Sequence, residues 1–145
     1  MSRFFYLNRF STSKDIGLMF ELKVITRFAA AHQLRMVAKQ CENLHGHNWK
    51  IEVYLKGEKL NDWGVLVDFG EVKAHVREIM DMLDHKFLND LEFFHHGNPS
   101  SENIAKFIAE TLQEKIKDTE PSKYCSVSRV TAWESDDACA TYYMP

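Results

Sequence analysis

The chain has 145 residues, 45% apolar and 27% charged, with a formal charge of −3. That is one domain's worth of polypeptide with enough apolar surface for a core, so disorder is excluded, and the acidic balance gives no general basic face for nucleic acid. No apolar run approaches the ~20 residues of a membrane span. Three cysteines without a CxxC pair argue against a disulfide framework and for a reducing cytoplasm.

Residues 1–18 carry Arg3, Arg9 and Lys14 but no acid before Asp15, and are read as an N-terminal extension that only faintly resembles a transit peptide. Regular patterning starts near Met19, which could itself be the natural start, and residues 19–145 are read as one domain. From Leu18 the chain alternates, with Phe20, Leu22, Val24, Phe28 and Ala30 on one parity and Glu21, Lys23 and Arg27 on the other, which predicts a half-buried strand ending at His32. NWKIEVYLK repeats the alternation with Trp49, Ile51, Val53 and Leu55, with His45 and His47 at its entry.

GEKLNDWG reads as a loop, after which the period changes. Asp68 can cap a helix whose stripe is Val72, Val76, Ile79, Met80 and Leu83. LDHKFLNDLEFFHHGNP reads as a loop. Ser100 or Ser101 caps a second helix with the stripe Ile104, Phe107, Ile108, Leu112 and Ile116 and with Glu102 in its first turn. CSVSRVTAWE and ACATYYM predict two last strands around the turn Ser135-Asp136-Asp137. The order ββααββ indicates an α+β fold on a four-stranded antiparallel sheet, and its open edges make oligomerisation plausible.

The stretch CENLHGHNW places Cys41, His45 and His47 together. His45 and His47 share the parity of Trp49, and His32 shares that of Phe28 and Ala30, so three imidazoles can leave one face of neighbouring strands. Three nitrogen ligands with an open fourth position are the pattern of a catalytic zinc site; two ordinary strand histidines are the bland alternative. Spacing does not rank three roles for Cys41: a fourth ligand, a base acidified by a nearby cation, or a buried thiol. Asp84-His85 is a carboxylate–imidazole pair at a helix end, although adjacent side chains seldom bond each other. Glu134 lies at a strand end on the parity of Val130 and Ala132, where an acid needs a partner such as a ring edge rich in N–H groups. His75, His95 and His96 read as surface histidines, and Arg27, Lys39 and Lys50 as basic neighbours with no assigned role.

FAAAH with His32, C-x3-H-G-H with Cys41, His45 and His47, VLVDF, LDHKFLND with Asp84 and His85, NPSSE with Ser101 and Glu102, and WES with Glu134 follow one another in an order that resembles the 6-pyruvoyl-tetrahydropterin synthase / 6-carboxy-tetrahydropterin synthase family. The likeness spans about Met19 to Tyr143. It implies the tunnelling fold (T-fold), with Zn2+ on His32, His45 and His47, Cys41 as proton acceptor, and His85 and Glu134 as proton-relay partners with Asp84 polarising His85. It further implies a pterin triphosphate substrate bound by Glu134, Glu102 and Ser101. A homo-oligomer is implied as well: trimers close sheets into a barrel, two trimers stack, and active sites lie between subunits, where Asp84 and His85 could meet Cys41.

The C-x3-H spacing is similar to the bacterial 6-carboxy branch, which implies a carbon–carbon lyase acting on 7,8-dihydroneopterin triphosphate in queuosine precursor synthesis. A 6-pyruvoyl-forming enzyme and a silent zinc- or pterin-binding domain are the alternatives. An unrelated zinc hydrolase finds no support, since HExxH and the deaminase H-x-E with P-C-x-x-C are both missing. Ala30 stands where the family often has serine, and Ser100 where threonine is common; neither change removes a ligand.

Overall fold

A computed structural model describes residues 19–35 and 43–145. Cys41, Lys39 and the N-terminal extension lie outside the described residues. Strand β1 (Phe20–His32) pairs antiparallel with β2 (His45–Gly57) along its whole length. Helix α1 (Phe69–Leu83) follows, then a two-residue strand β3 (Lys86–Phe87), helix α2 (Ser101–Ile116), and strands β4 (Ser126–Trp133) and β5 (Cys139–Tyr143). The sheet order is β3-β1-β2-β4-β5. The four strands read from the sequence are all present. The fifth, β3, comes from a segment read as loop: it runs parallel to β1 at Ala30–Ala31 only, too short for any periodicity to announce it.

Both helices cover one face of the sheet, α1 against β1 and α2 against β4 and β5. Trp49, Ile51, Val53 and Leu55 from β2 are fully buried there, as are Val72, Ile79 and Leu83 of α1 and Ile104, Ile108, Leu112 and Ile116 of α2. Burying side chains of this size stabilises a fold by roughly 1.5–3 kcal/mol each before entropy is counted. Phe107, expected on the buried stripe, is only partly covered. It stacks on Phe93 at 3.9 Å between ring centroids, while Ala105 and Ala109 take the inner positions and let the helix lie close to the sheet. Gly57, at the end of β2, has no room for a side chain because a Cβ there would strike the Tyr124 carbonyl.

The other sheet face is polar and internally paired. Arg129 grips Glu21 with two bonds of 2.8 Å and lies over the Tyr54 ring. Glu52 is buried despite its polar parity, held by Lys50 at 2.9 Å and by the Tyr54 hydroxyl at 2.9 Å. The Lys50 ammonium chiefly holds the Glu52 carboxyl below its ordinary range.

Candidate metal centre and substrate site

The end of β1 and the start of β2 bring three histidines together because the register pairs His32 with His45 and Ala30 with His47. One residue of slip would send His45 and His47 to the opposite face. In this register the ligand-type atoms of His32, His45 and His47 all lie within 4.8 Å of one another. His32 is 1% exposed, and both it and His47 stand edge-on to Trp49, which is itself fully buried. The cluster therefore has an apolar floor and an outer side toward solvent.

Hydrogen bonds fix the protonation of two of the rings. The Nδ1 of His32 lies 2.7 Å from the Pro99 carbonyl oxygen, and the Nδ1 of His45 lies 2.7 Å from that of Asn43. A carbonyl only accepts, so each Nδ1 carries the proton and, in the neutral ring, each Nε2 presents a lone pair. Those two Nε2 atoms face each other at 3.1 Å. Two lone pairs at that distance repel unless a proton or a cation lies between them. Nitrogens bound to a tetrahedral zinc at about 2.0–2.1 Å stand about 3.3 Å apart, so the pair already has metal-ligand spacing. The donor set fits a zinc-like cation, and the carbonyl bonds on the far nitrogens are the usual outer support of such a centre.

A carboxylate lies one short turn away. Ser100 caps α2 by accepting from the Asn103 N–H, which leaves Ser101 free to donate to Glu134 Oε2 at 3.3 Å. Glu134 directly follows β4, and its N–H bonds the Ala138 carbonyl across the β4–β5 turn. Pro99 thus touches His32 and Ser101 touches Glu134, two residues apart in the chain. Two residues span about 7 Å at most, so one short segment at the start of α2 contacts both His32 and Glu134. Glu102 is exposed in the first turn of α2, and no bond joins it to Glu134.

Asp84 and His85 do bond each other, contrary to the expectation for neighbours: His85 Nδ1 lies 2.8 Å from Asp84 Oδ2. The reason is local. His85 adopts φ 55°, a left-handed conformation that folds its ring back, and its N–H bonds the Ala29 carbonyl at 2.6 Å. Asp84 Oδ1 accepts from the Ala29 N–H at 2.8 Å, so the corner is pinned to β1 through both of that residue's polar groups. The Ala29 N–H first, and His85 second, hold the Asp84 carboxyl below its ordinary pKa. A non-glycine residue in this conformation at a solvent-facing corner is a common mark of a functional position. His85 lines a shallow groove together with Ala29–Ala31, Gly46, His47 and Lys86, so the corner opens toward the histidine cluster.

Of the candidate residues, the fold joins His32, His45 and His47 in one cluster, Ser101 and Glu134 in a second, and Asp84 and His85 in a third. It leaves Glu102 apart. Sequence reasoning gave no role to the Pro99 carbonyl, Asn98 or Asn89. The dipeptide Asn98-Pro99 signalled a turn, but nothing local showed what the turn would touch.

A small α+β domain carries three imidazoles able to hold a metal ion where the ends of β1 and β2 meet. Residues 21–145 match the family described as 6-pyruvoyl tetrahydropterin synthase. The chain belongs to that family of enzymes, and its fold is the T-fold. Among relatives, a 6-carboxy-5,6,7,8-tetrahydropterin synthase of Synechocystis is 38% identical over 95 residues, covering 60% of this chain and 70% of that protein. A dihydroneopterin monophosphate aldolase of Pyrococcus furiosus is 32% identical over 110 residues, covering 76% and 85%. The solved 6-pyruvoyl tetrahydropterin synthase of Caenorhabditis elegans superposes with a TM-score of 0.75 at 27% identity, over 88% of this chain and 96% of that one.

Proposed function

We propose that this protein is a carbon–carbon lyase that converts 7,8-dihydroneopterin triphosphate and water to 6-carboxy-5,6,7,8-tetrahydropterin, acetaldehyde and triphosphate, in queuosine precursor biosynthesis. The observation that carries the reading is the pair of Nε2 lone pairs facing each other at 3.1 Å, with a half-buried carboxylate one turn away. His32, His45 and His47 would hold zinc. A cation there supplies Lewis acidity, acidifying the substrate's side-chain hydroxyls and the adjacent C–H.

Glu134, steadied by Ser101, accepts from the amino and ring N–H groups of the pterin, and a carboxylate suits that paired-donor edge. Glu102, exposed in the first turn of α2 and apart from the Ser101–Glu134 pair, is retained as a proposed further contact to the substrate. Cys41, four residues before His45, is the proton acceptor. His85, held by Asp84, returns protons as the side chain tautomerises and the carbon–carbon bond opens.

The free sheet edges support a homo-oligomer, with a dimer of trimers as the arrangement proposed. β1 is paired by β3 only at Ala30–Ala31, and β5 forms the opposite edge. Sites shared between subunits would bring a neighbour's Asp84–His85 corner to Cys41.

A second reading has support in the Pyrococcus relative, whose name is that of an aldolase acting on a monophosphate. Mass spectrometry of products separates the possibilities. Zinc-loaded protein given 7,8-dihydroneopterin triphosphate should yield the 6-carboxy product with acetaldehyde. A 6-pyruvoyl product would move the protein to the elimination branch, and turnover of the monophosphate alone would move it to the aldolases. Unchanged substrate from folded, metal-loaded protein would sink the enzyme assignment.

A further inference from the structure

The main chain just beyond His32 is held by two side-chain amides. Asn89 Oδ1 accepts from the Gln33 N–H at 2.9 Å, and Asn89 Nδ2 donates to the Gln33 carbonyl at 2.7 Å. Asn98 repeats the arrangement on Arg35, accepting from its N–H at 2.7 Å and donating to its carbonyl at 2.8 Å. Each amide thus serves as a one-residue strand partner where β1 has run out of neighbours. Asn98 is anchored in turn, since its own carbonyl accepts from Asn103 Nδ2 at 2.8 Å, on the first turn of α2. It also immediately precedes Pro99, whose carbonyl holds His32 Nδ1.

Two paths therefore converge on one imidazole. The Gln33 and Arg35 clamps fix the backbone leaving His32. The Asn103–Asn98 link and the proline set the carbonyl that selects its tautomer and ring plane. The chain has spent two residues, with four good hydrogen bonds, on a stretch of only three residues that buries almost nothing else.

We propose that Asn98 and Asn89 are positioning residues of the metal centre, clamping residues 33–35 so that the His32 ring, seated on the Pro99 carbonyl, presents Nε2 to the cation. This rests on the metal-centre reading above and adds to it a reason for the cluster's preformed geometry. Side chains that orient a ligand from behind usually change metal affinity by about 10–100-fold when removed. Asn98→Ala should sit at the upper part of that range, because it loosens both paths, and Asn89→Ala should cost less.

The test measures zinc affinity of the full-length protein by competition with a chromophoric chelator, together with the visible spectrum of the cobalt(II)-loaded form. Gln113→Ala is the control. It removes a bond of the same kind, Gln113 Oε1 accepting from the Val127 N–H at 2.9 Å, between α2 and β4 and away from the histidines. The proposal expects Asn98→Ala to weaken zinc at least tenfold and to alter the cobalt bands, at a temperature where circular dichroism shows the metal-free variant folded, with Gln113→Ala binding like wild type.

Should Asn98→Ala not fold, Asn103→Ala removes the bond that anchors the Asn98 carbonyl and leaves the Arg35 clamp in place, and should weaken zinc by a smaller factor. Asparagine variants that melt earlier yet bind zinc with wild-type affinity and spectrum would overturn the positioning role while leaving the metal centre intact. Failure of the wild-type protein to bind zinc or cobalt would overturn the metal reading and this one with it.

Discussion

The histidine cluster at the ends of β1 and β2 and the Asp84–His85 corner after α1 both carry imidazoles, and His47 and His85 line one shallow groove, but the fold holds them differently. His32 is buried, seated on a carbonyl and backed by Trp49, so its ring direction is set before any ligand arrives. The His85 side chain is 82% exposed; it owes its orientation to one unusual backbone conformation and one carboxylate. A metal ligand gains from rigidity, because each nitrogen must meet a fixed distance and direction. A proton-transfer group gains from access to solvent and from some freedom to move between donor and acceptor. The contrast suits the proposed roles, metal binding at the histidine cluster and proton transfer at the exposed corner.

Breaking the buried set should have the largest effect. His32→Ala is expected to drop bound zinc below about a tenth of an equivalent by elemental analysis and to abolish product formation, since two imidazoles seldom retain the ion. Cys41→Ala separates the two functions most cleanly. It should retain zinc at wild-type stoichiometry while turnover falls by about 10²–10⁴-fold, the usual scale for losing an acid–base group. Loss of zinc in that variant would instead make Cys41 a ligand.

Asp84→Asn should cost less, roughly 10–100-fold in kcat, with zinc binding unchanged, because the amide can still accept from the Ala29 N–H but no longer supports charge on His85. Its signature in stability has a definite sign. The Asp84 carboxyl has its folded pKa below the ordinary 3.8, so the stability it contributes is present above that value and is lost as pH falls through the depressed one. Acid unfolding followed by circular dichroism should therefore depend less on pH below about 4 in the Asn variant.

The smallest effect concerns a thiol outside both regions. Burial pushes Cys125 up to about 11, and its Sγ donates to the Pro121 carbonyl. Stability from keeping it protonated is full below its ordinary value of 9.0 and is lost as pH rises through about 11. Cys139 is exposed and Cys125 buried, so a thiol reagent at pH 8 should label Cys139 quickly and Cys125 only after unfolding. Rapid labelling of Cys125 in the folded protein would contradict the burial that raises it.

Alternation located β1 and β2, strand-rich runs around a turn located β4 and β5, and helical spacing located α1 down to its five buried side chains. They did so because apolar groups must face one layer and charges the other. The histidine parity was legible for the same reason: His32, His45 and His47 continue the apolar rows of their strands. The identity of the acid at Glu134 was legible as an anomaly, an acid on a core parity. Contacts that join distant segments were not legible. No pattern in the chain says that Asn98 meets Arg35, 63 positions away, or that Pro99 supplies the carbonyl for His32.

Sequence by itself determined the elements, their inward faces and the residue types able to bind a metal, since these follow from periodicity and from the chemistry of each side chain. Only the tertiary structure decided which imidazole nitrogen faces the centre, that Ser101 rather than Ser100 meets Glu134, and that His85 turns left-handed to reach Asp84. Those outcomes depend on hydrogen bonds between groups far apart in the chain, and their geometry exists only once strand register and helix packing are fixed.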